Sequence, residues 1–163
     1  MGTWTYADFK AYLKLRLGNA DSWDQYYGTW VNAAYSHLCS LDVVPGTRRK
    51  VVIPDLQTST PATTVSGISY IAKPSDALFV NEVVDTTNRR RLDWIPLAQY
   101  AEKTDTATPA SYGPPSYWTR RGNNIHLYPT PGGAYAMTID YRMLPAALSA
   151  DTSTTVLSPE WDG

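Results

Sequence analysis

The stretch from Tyr117 to Tyr141, YWTRRGNNIHLYPTPGGAYAMTIDY, leaves the chain the fewest folding options. Tyr117 to Arg120 is aromatic and extended. Arg121-Gly122-Asn123-Asn124 reads as a turn, because Gly and Asn accept positive φ at little steric cost. Ile125 to Tyr128 alternates large apolar with polar side chains, the period of a half-buried strand. Pro129-Thr130-Pro131-Gly132-Gly133 cannot continue a sheet, since both prolines lack an N–H and Gly-Gly favours a hairpin. Tyr135, Met137, Ile139 and Tyr141 then alternate with Ala136, Thr138, Asp140 and Arg142. The pattern predicts a three-stranded meander with one apolar face, which another part of the chain must cover.

At 163 residues the chain has room for one domain, or for a compact domain carrying an insertion. Apolar residues make up 43% and charged residues 18%, enough for a core and too apolar for wholesale disorder. A net charge of -1 gives no global attraction to nucleic acid or membrane, so any such contact must come from a local patch. The lone Cys39 cannot form an internal disulfide, and no Cys/His cluster suggests zinc. No apolar run approaches the roughly 20 residues of a membrane span. The start, Met-Gly-Thr-Trp, has neither the basic nor the apolar region of a signal peptide, and a reducing cytosol is the natural compartment. Six Trp and twelve Tyr against two Phe favour rings with a polar tip, the type enriched at protein interfaces.

Thr5 to Leu17 reads as a helix, with Thr5 as N-cap, Asp8 as its capping partner and an apolar stripe of Phe9, Leu13 and Leu17 widened by Tyr12. A second helix should start near Ser22, whose S-x-x-Q spacing to Gln25 forms a capping box. Tyr27, Trp30, Val31, Ala34, Tyr35 and Leu38 give it a broad apolar face, and Ala33 allows close approach of a neighbour. Two helices joined by a short loop should form an antiparallel αα-hairpin. Beyond Pro45 the pattern turns to strands and loops. Val51 to Pro54 reads as a short strand and the Thr/Ser-rich Gln57 to Ser66 as an exposed loop. Ile68 to Ala72 is extended, and Ala77 to Val84 is a strand. Arg89 to Ile95 returns as its partner after a turn at Asp85 to Asn88, and Pro96 to Lys103 is a short helix. Thr104 to Pro115 is a loop. After the meander, Leu144-Pro145 leaves the sheet and Ser149 to Thr155 reads as a polar linker. Ser158-Pro159-Glu160-Trp161 carries a helix-start signature.

The fold class expected is α+β. Residues 1–44 form an antiparallel helical hairpin and 45–145 a β-rich insertion. Residues 146–163 form a linker and tail packing on the helices or on a partner.

A search for catalytic groups finds little. The two histidines, His37 and His126, have no second or third ligand at metal spacing, and His126 reads as an exposed strand residue. Cys39 reads as a small buried thiol. No nucleophile elbow, zincin motif or phosphate-binding glycine loop is present. The expectation is a protein without catalytic residues, cofactor or metal. Three basic clusters stand out at strand ends or turns: Arg48, Arg49 and Lys50; Arg89, Arg90 and Arg91; Arg120 and Arg121. A solvated rim is their ordinary role, and contact with DNA phosphates or an acidic protein surface the functional one. The Tyr and Trp side chains are core or subunit interface in most proteins. They would serve equally as stacking platforms for single-stranded bases or sugars, so a carbohydrate- or nucleic-acid-binding module is a second possibility.

The order of features has a counterpart. A helix ending Leu-Arg-Leu-Gly-Asn is followed by Trp30-Val31-Asn32-Ala33-Ala34 and then Tyr70-Ile71-Ala72-Lys73-Pro74-Ser75-Asp76 before a strand. The second half carries Tyr117-Trp118-Thr119-Arg120-Arg121-Gly122-Asn123-Asn124-Ile125-His126-Leu127-Tyr128-Pro129, a strand ending Asp140-Tyr141-Arg142, Leu144-Pro145 and Leu157-Ser158-Pro159-Glu160-Trp161. Over nearly its whole length the chain resembles the head-to-tail adaptor (connector, head-completion) proteins of tailed bacteriophages.

The resemblance implies a helical bundle carrying a β insertion. It also implies a ring of copies, commonly twelve, that docks under the portal protein and extends the DNA channel. The partners implied are further copies of the chain, the portal, a downstream tail or neck protein, and packaged DNA passing without sequence recognition; no membrane is involved. The place implied is the virion neck, after synthesis in the host cytoplasm. Pro159 and Trp161 are candidates for partner docking, and the eight basic residues for the channel or an interface. Family members continue past the Pro-Glu-Trp stretch into long helices; this sequence departs by stopping at Gly163.

Overall fold

Local signals at the N-terminus act as the sequence suggests. In the computed structural model, which describes residues 4–18, 23–40, 54–105 and 111–155, helix α1 spans Tyr6–Arg16. The Thr5 hydroxyl accepts from the Asp8 N–H at 3.2 Å, and the Thr5 N–H donates to Asp8 Oδ2 at 2.8 Å, completing a capping box. Those bonds hold the Asp8 carboxyl below its usual pKa. Helix α2 spans Asp24–Ser40. The Ser22 cap falls outside the described residues, as do Val51 to Ile53. Residues 1–57 with 144–163 form one compact unit and 58–143 a second.

In the helical unit α2 buries Tyr27, Val31, Tyr35 and Cys39, a stripe at a spacing of four. This is narrower than the sequence suggests: Trp30 and Leu38 of the expected face are exposed, as are Tyr12 of α1 and its C-cap Leu17. The close approach falls at Gly28 and not at Ala33. A Cβ on Gly28 would collide with the Tyr6 hydroxyl. Gly28→Ala gains up to ~1 kcal/mol of helix propensity yet must displace a buried ring, at about 1–3 kcal/mol. The expected result is a net loss in thermal or urea unfolding, recovered by adding Tyr6→Phe, which removes the clashing oxygen. A Gly28→Ala variant more stable than wild type would show that the contact is loose.

Ser149 to Thr155 is no free linker. Leu148 is buried, and its N–H donates to Asn32 Oδ1 at 2.7 Å while its carbonyl accepts from Asn32 Nδ2 at 2.9 Å. The Tyr6 N–H donates to Ser153 O at 2.8 Å, Thr154 bridges to Thr5, and Lys10 pairs with Asp151. These polar residues read as linker because their value lies in partners distant in sequence.

The second unit is built from two four-stranded sheets. One has the order β1 (Gln57–Thr63), β10 (Ala136–Met143), β3 (Ala77–Asp85), β4 (Arg90–Arg91). The other has the order β2 (Tyr70–Ala72), β8 (Asn124–Tyr128), β7 (Tyr117–Arg121), β5 (Asp93–Trp94). A parallel pair, β6 (Tyr112–Gly113) with β9 (Thr130–Pro131), lies beside them, and helix α3 (Leu97–Asp105) follows β5. Val83, Leu92, Trp118, Ile125, Leu127, Met137 and Ile139 form the core that both sheets share. Each large side chain so buried contributes ~1.5–3 kcal/mol.

Three expectations are corrected here. The meander does not stay together: β7 and β8 form a hairpin, but β10 joins the other sheet and pairs with β3. The Pro-Gly passage between them crosses from sheet to sheet, so the missing cover for the apolar face is the partner sheet. Arg89 to Ile95 likewise divides. Arg90 and Arg91 pair with β3, Leu92 turns into the core, and Asp93 and Trp94 run parallel to β7. Gln57 to Thr63 is an edge strand and not a loop. Its alternate residues are exposed and Pro61 is tolerated because an edge strand has a free side.

Candidate interaction surfaces

The basic clusters have unequal fates. Arg48, Arg49 and Lys50, and likewise Pro159 and Trp161, lie outside the described residues. In the second cluster a tight turn after β3 is fixed by the fully buried Asp85. Its Oδ1 accepts from the Asn88 N–H at 3.0 Å and its Oδ2 from Asn88 Nδ2 at 2.6 Å. Arg89 closes the turn with a positive φ of 54°, a strained region for a non-glycine residue. Arg90 is spent inward: its Nη2 donates to Pro115 O and, at 2.9 Å, to Ser116 Oγ. The Arg91 Nε meets Glu82 at 2.9 Å across the β3–β4 pair. Only Arg89 of this cluster has its charge uncommitted among the described residues.

Arg120 and Arg121 end β7 and are exposed. Arg120 Nη1 reaches Leu78 O at 3.4 Å, at the limit of a hydrogen bond. Arg90 binds next to the first residue of β7, whereas Arg120 and Arg121 are its last, so the strand separates the two clusters by roughly 13 Å. They are two patches and not one.

The outward face of β8 is covered by aromatic rings. The His126 ring lies 5.7 Å from Tyr70 and 5.6 Å from Tyr100 of α3. Lys103 of α3 sits 4.7 Å over the Tyr117 ring and 5.9 Å over Tyr128. His126 is therefore half-buried and not the exposed strand residue expected. Burial lowers its pKa, and the nearby Arg121 charge adds to that. Its folded pKa lies below the unfolded value of about 6.5, so just below pH 6.5 the unfolded chain binds the proton more tightly and stability falls as pH falls. Urea midpoints should drop between about pH 7 and about pH 5, and His126→Gln should drop less; equal slopes would refute the assignment. Among the described residues no three His, Cys, Asp or Glu side chains are grouped to hold a metal. None of their helices is long and apolar enough to cross a membrane.

Among the described residues two exposed apolar surfaces stand out. At the start of α2, Tyr26 and Trp30 form an exposed ladder with Trp23, which just precedes the helix; Tyr26 stacks on Trp30 at 6.1 Å and Trp23 lies edge-on to Trp30 at 5.8 Å. In the β unit an open groove of about 460 Å³ is lined by Phe79, Trp94, Leu97, Trp118 and Arg120. Trp94, at 60% exposure, is its most accessible ring. Trp118 is buried and supplies only the floor, so it offers no stacking face of the kind the sequence allowed for the Trp side chains. The groove has no sequence signature, because it arises where β5 ends beside β7 and the chain turns away at Pro96.

A family model described as SU10 adaptor protein matches residues 4–162. No curated protein matches the chain.

Proposed function

We propose that this chain, which belongs to the SU10 adaptor protein family of phage head-to-tail adaptors, builds an oligomeric ring beneath the portal, extends the DNA channel and docks the next neck or tail component. The observation that carries this is the family match over almost the entire chain. The fold class suits it, mixed α+β with three α-helices among the described residues and sheets of mainly antiparallel strands. We take residues 1–44 as the helical hairpin, 45–145 as the β insertion and 146–163 as a linker and tail that packs on the helices or on a partner.

Two features support a ring. Closed rings are made by head-to-tail contacts and need two different surfaces on each copy. The aromatic ladder of α2 and the groove of the β unit are two such surfaces. Arg89, Arg120 and Arg121 are the described cations best placed for a lumen or an acidic partner. A conduit for DNA requires a few such charges and no base reading.

The test is a phage unable to make the protein, with electron microscopy of the particle neck. Full heads lacking tails, restored by the protein in trans with twelve-fold density under the portal, are expected. Normal tailed particles would overturn the proposal. The same preparations exclude or favour the glycan or single-strand binding module, since that module is not required at the neck.

A further inference from the structure

Strand β7 lies between β8 and β5, but β5 is short and leaves the Arg120 end of that edge open. The Leu127 N–H donates to Ser69 O at 2.7 Å, toward β2, so Asn124, His126 and Tyr128 are the residues of β8 that face β7. Their register partners are Arg121, Thr119 and Tyr117. Trp118 and Arg120 therefore turn their backbone groups the other way. The Trp118 carbonyl accepts from the Ile95 N–H at 2.9 Å. Two residues further on β5 has ended, and among the described residues no backbone group pairs with the Arg120 N–H or C=O. The groove lies at this place, with Trp94 and Leu97 on its rim and the Arg120 guanidinium as its one charge. An open strand edge beside apolar pockets recognises an extended peptide.

We propose that Leu157-Ser158-Pro159-Glu160-Trp161 of a second copy adds as a strand to this edge; the second copy rests on the ring reading above. Charge selects the segment. The groove offers one cation and no acid. Of the stretches outside the described residues, 1–3 and 106–110 are uncharged, and 19–22 has no large apolar side chain. Residues 41–53 carry Arg48, Arg49 and Lys50 against Asp42 alone. Residues 156–163 combine Val156, Leu157 and Trp161 with Glu160 and Asp162 and hold no cation. Pairing Glu160 opposite Arg120 satisfies both Arg120 backbone groups and sets carboxylate beside guanidinium on one face. Pro159 then faces away from β7, where its missing N–H costs nothing. The segment starts from a fixed base, since Thr154 bridges to Thr5 and Thr155 is buried.

The test uses the full chain with benzoylphenylalanine in place of Leu97. Heavy- and light-isotope copies are mixed before ring or particle assembly, irradiated, and read by mass spectrometry. Cross-links from position 97 to the peptide holding residues 157–161, with mixed heavy–light pairs, are expected. Cross-links confined to one copy, or reaching only the portal or another neck protein, overturn this inference and leave the adaptor function standing. Absence of the protein from the neck overturns both. Arg120→Glu should cut the yield about tenfold, and adding Glu160→Arg should restore it; failure of the double reversal to restore also overturns the pairing.

Discussion

Leu127→Ala should lower the stability of the β unit by about 2–5 kcal/mol, a large part of what a domain of this size possesses. Leu127 is fully buried within the core formed by both sheets, among Ile125, Trp118, Met137 and Ile139. Deleting its branched end removes the transfer free energy of those carbons and leaves a cavity between two backbones pinned by their own ladders. Leu127→Met keeps the volume and should cost less than ~1.5 kcal/mol. Hydrogen exchange at the amides of β8 and β10 reads the effect directly. Protection should fall in both strands, although they belong to different sheets. A loss confined to β8 would show that the sheets do not share one core.

The second large effect is expected at Asn32, whose amide closes a two-way bond with Leu148 and also donates to Gly28 O at 3.1 Å. Asn32→Leu leaves the Leu148 N–H and carbonyl without partners. At roughly 1–3 kcal/mol for each buried group the total is about 2–5 kcal/mol. Asn32→Asp should be as harmful near neutral pH, because a carboxylate would face two carbonyl oxygens, and milder in acid, where the protonated group regains a donor. Proteolysis between Leu144 and Thr155 is the measurement. Faster cleavage of both variants is expected, with Asn32→Asp protected again at low pH. Cleavage as slow as in wild type would mean that this segment is held by its other contacts.

What the sequence disclosed was local. The Thr5–Asp8 cap, the strand at Ala77 to Val84 and the helix after Pro96 depend on neighbours within a turn or on one face of one strand, and all three are present. Alternation along Tyr135 to Tyr141 announced which side chains are buried. It carried no information on which sheet takes the strand, since both sheets offer the same apolar lining. Gln57 to Thr63 looked like a loop because Thr and Ser are common in both loops and edge strands. The arginines were visible as charge, but the inward commitment of Arg90 depends on Ser116, 26 residues away. The groove required two chain segments to end beside each other, which no single stretch encodes.

The attachment of Ser153 and Thr154 to the first turn of α1 also has a mechanical meaning. Tension applied to the chain beyond Thr155 reaches Thr5 and Tyr6 across backbone hydrogen bonds and the Lys10–Asp151 pair before it travels back through Leu144. Such a load would be taken first by the helices and only afterwards by the strands.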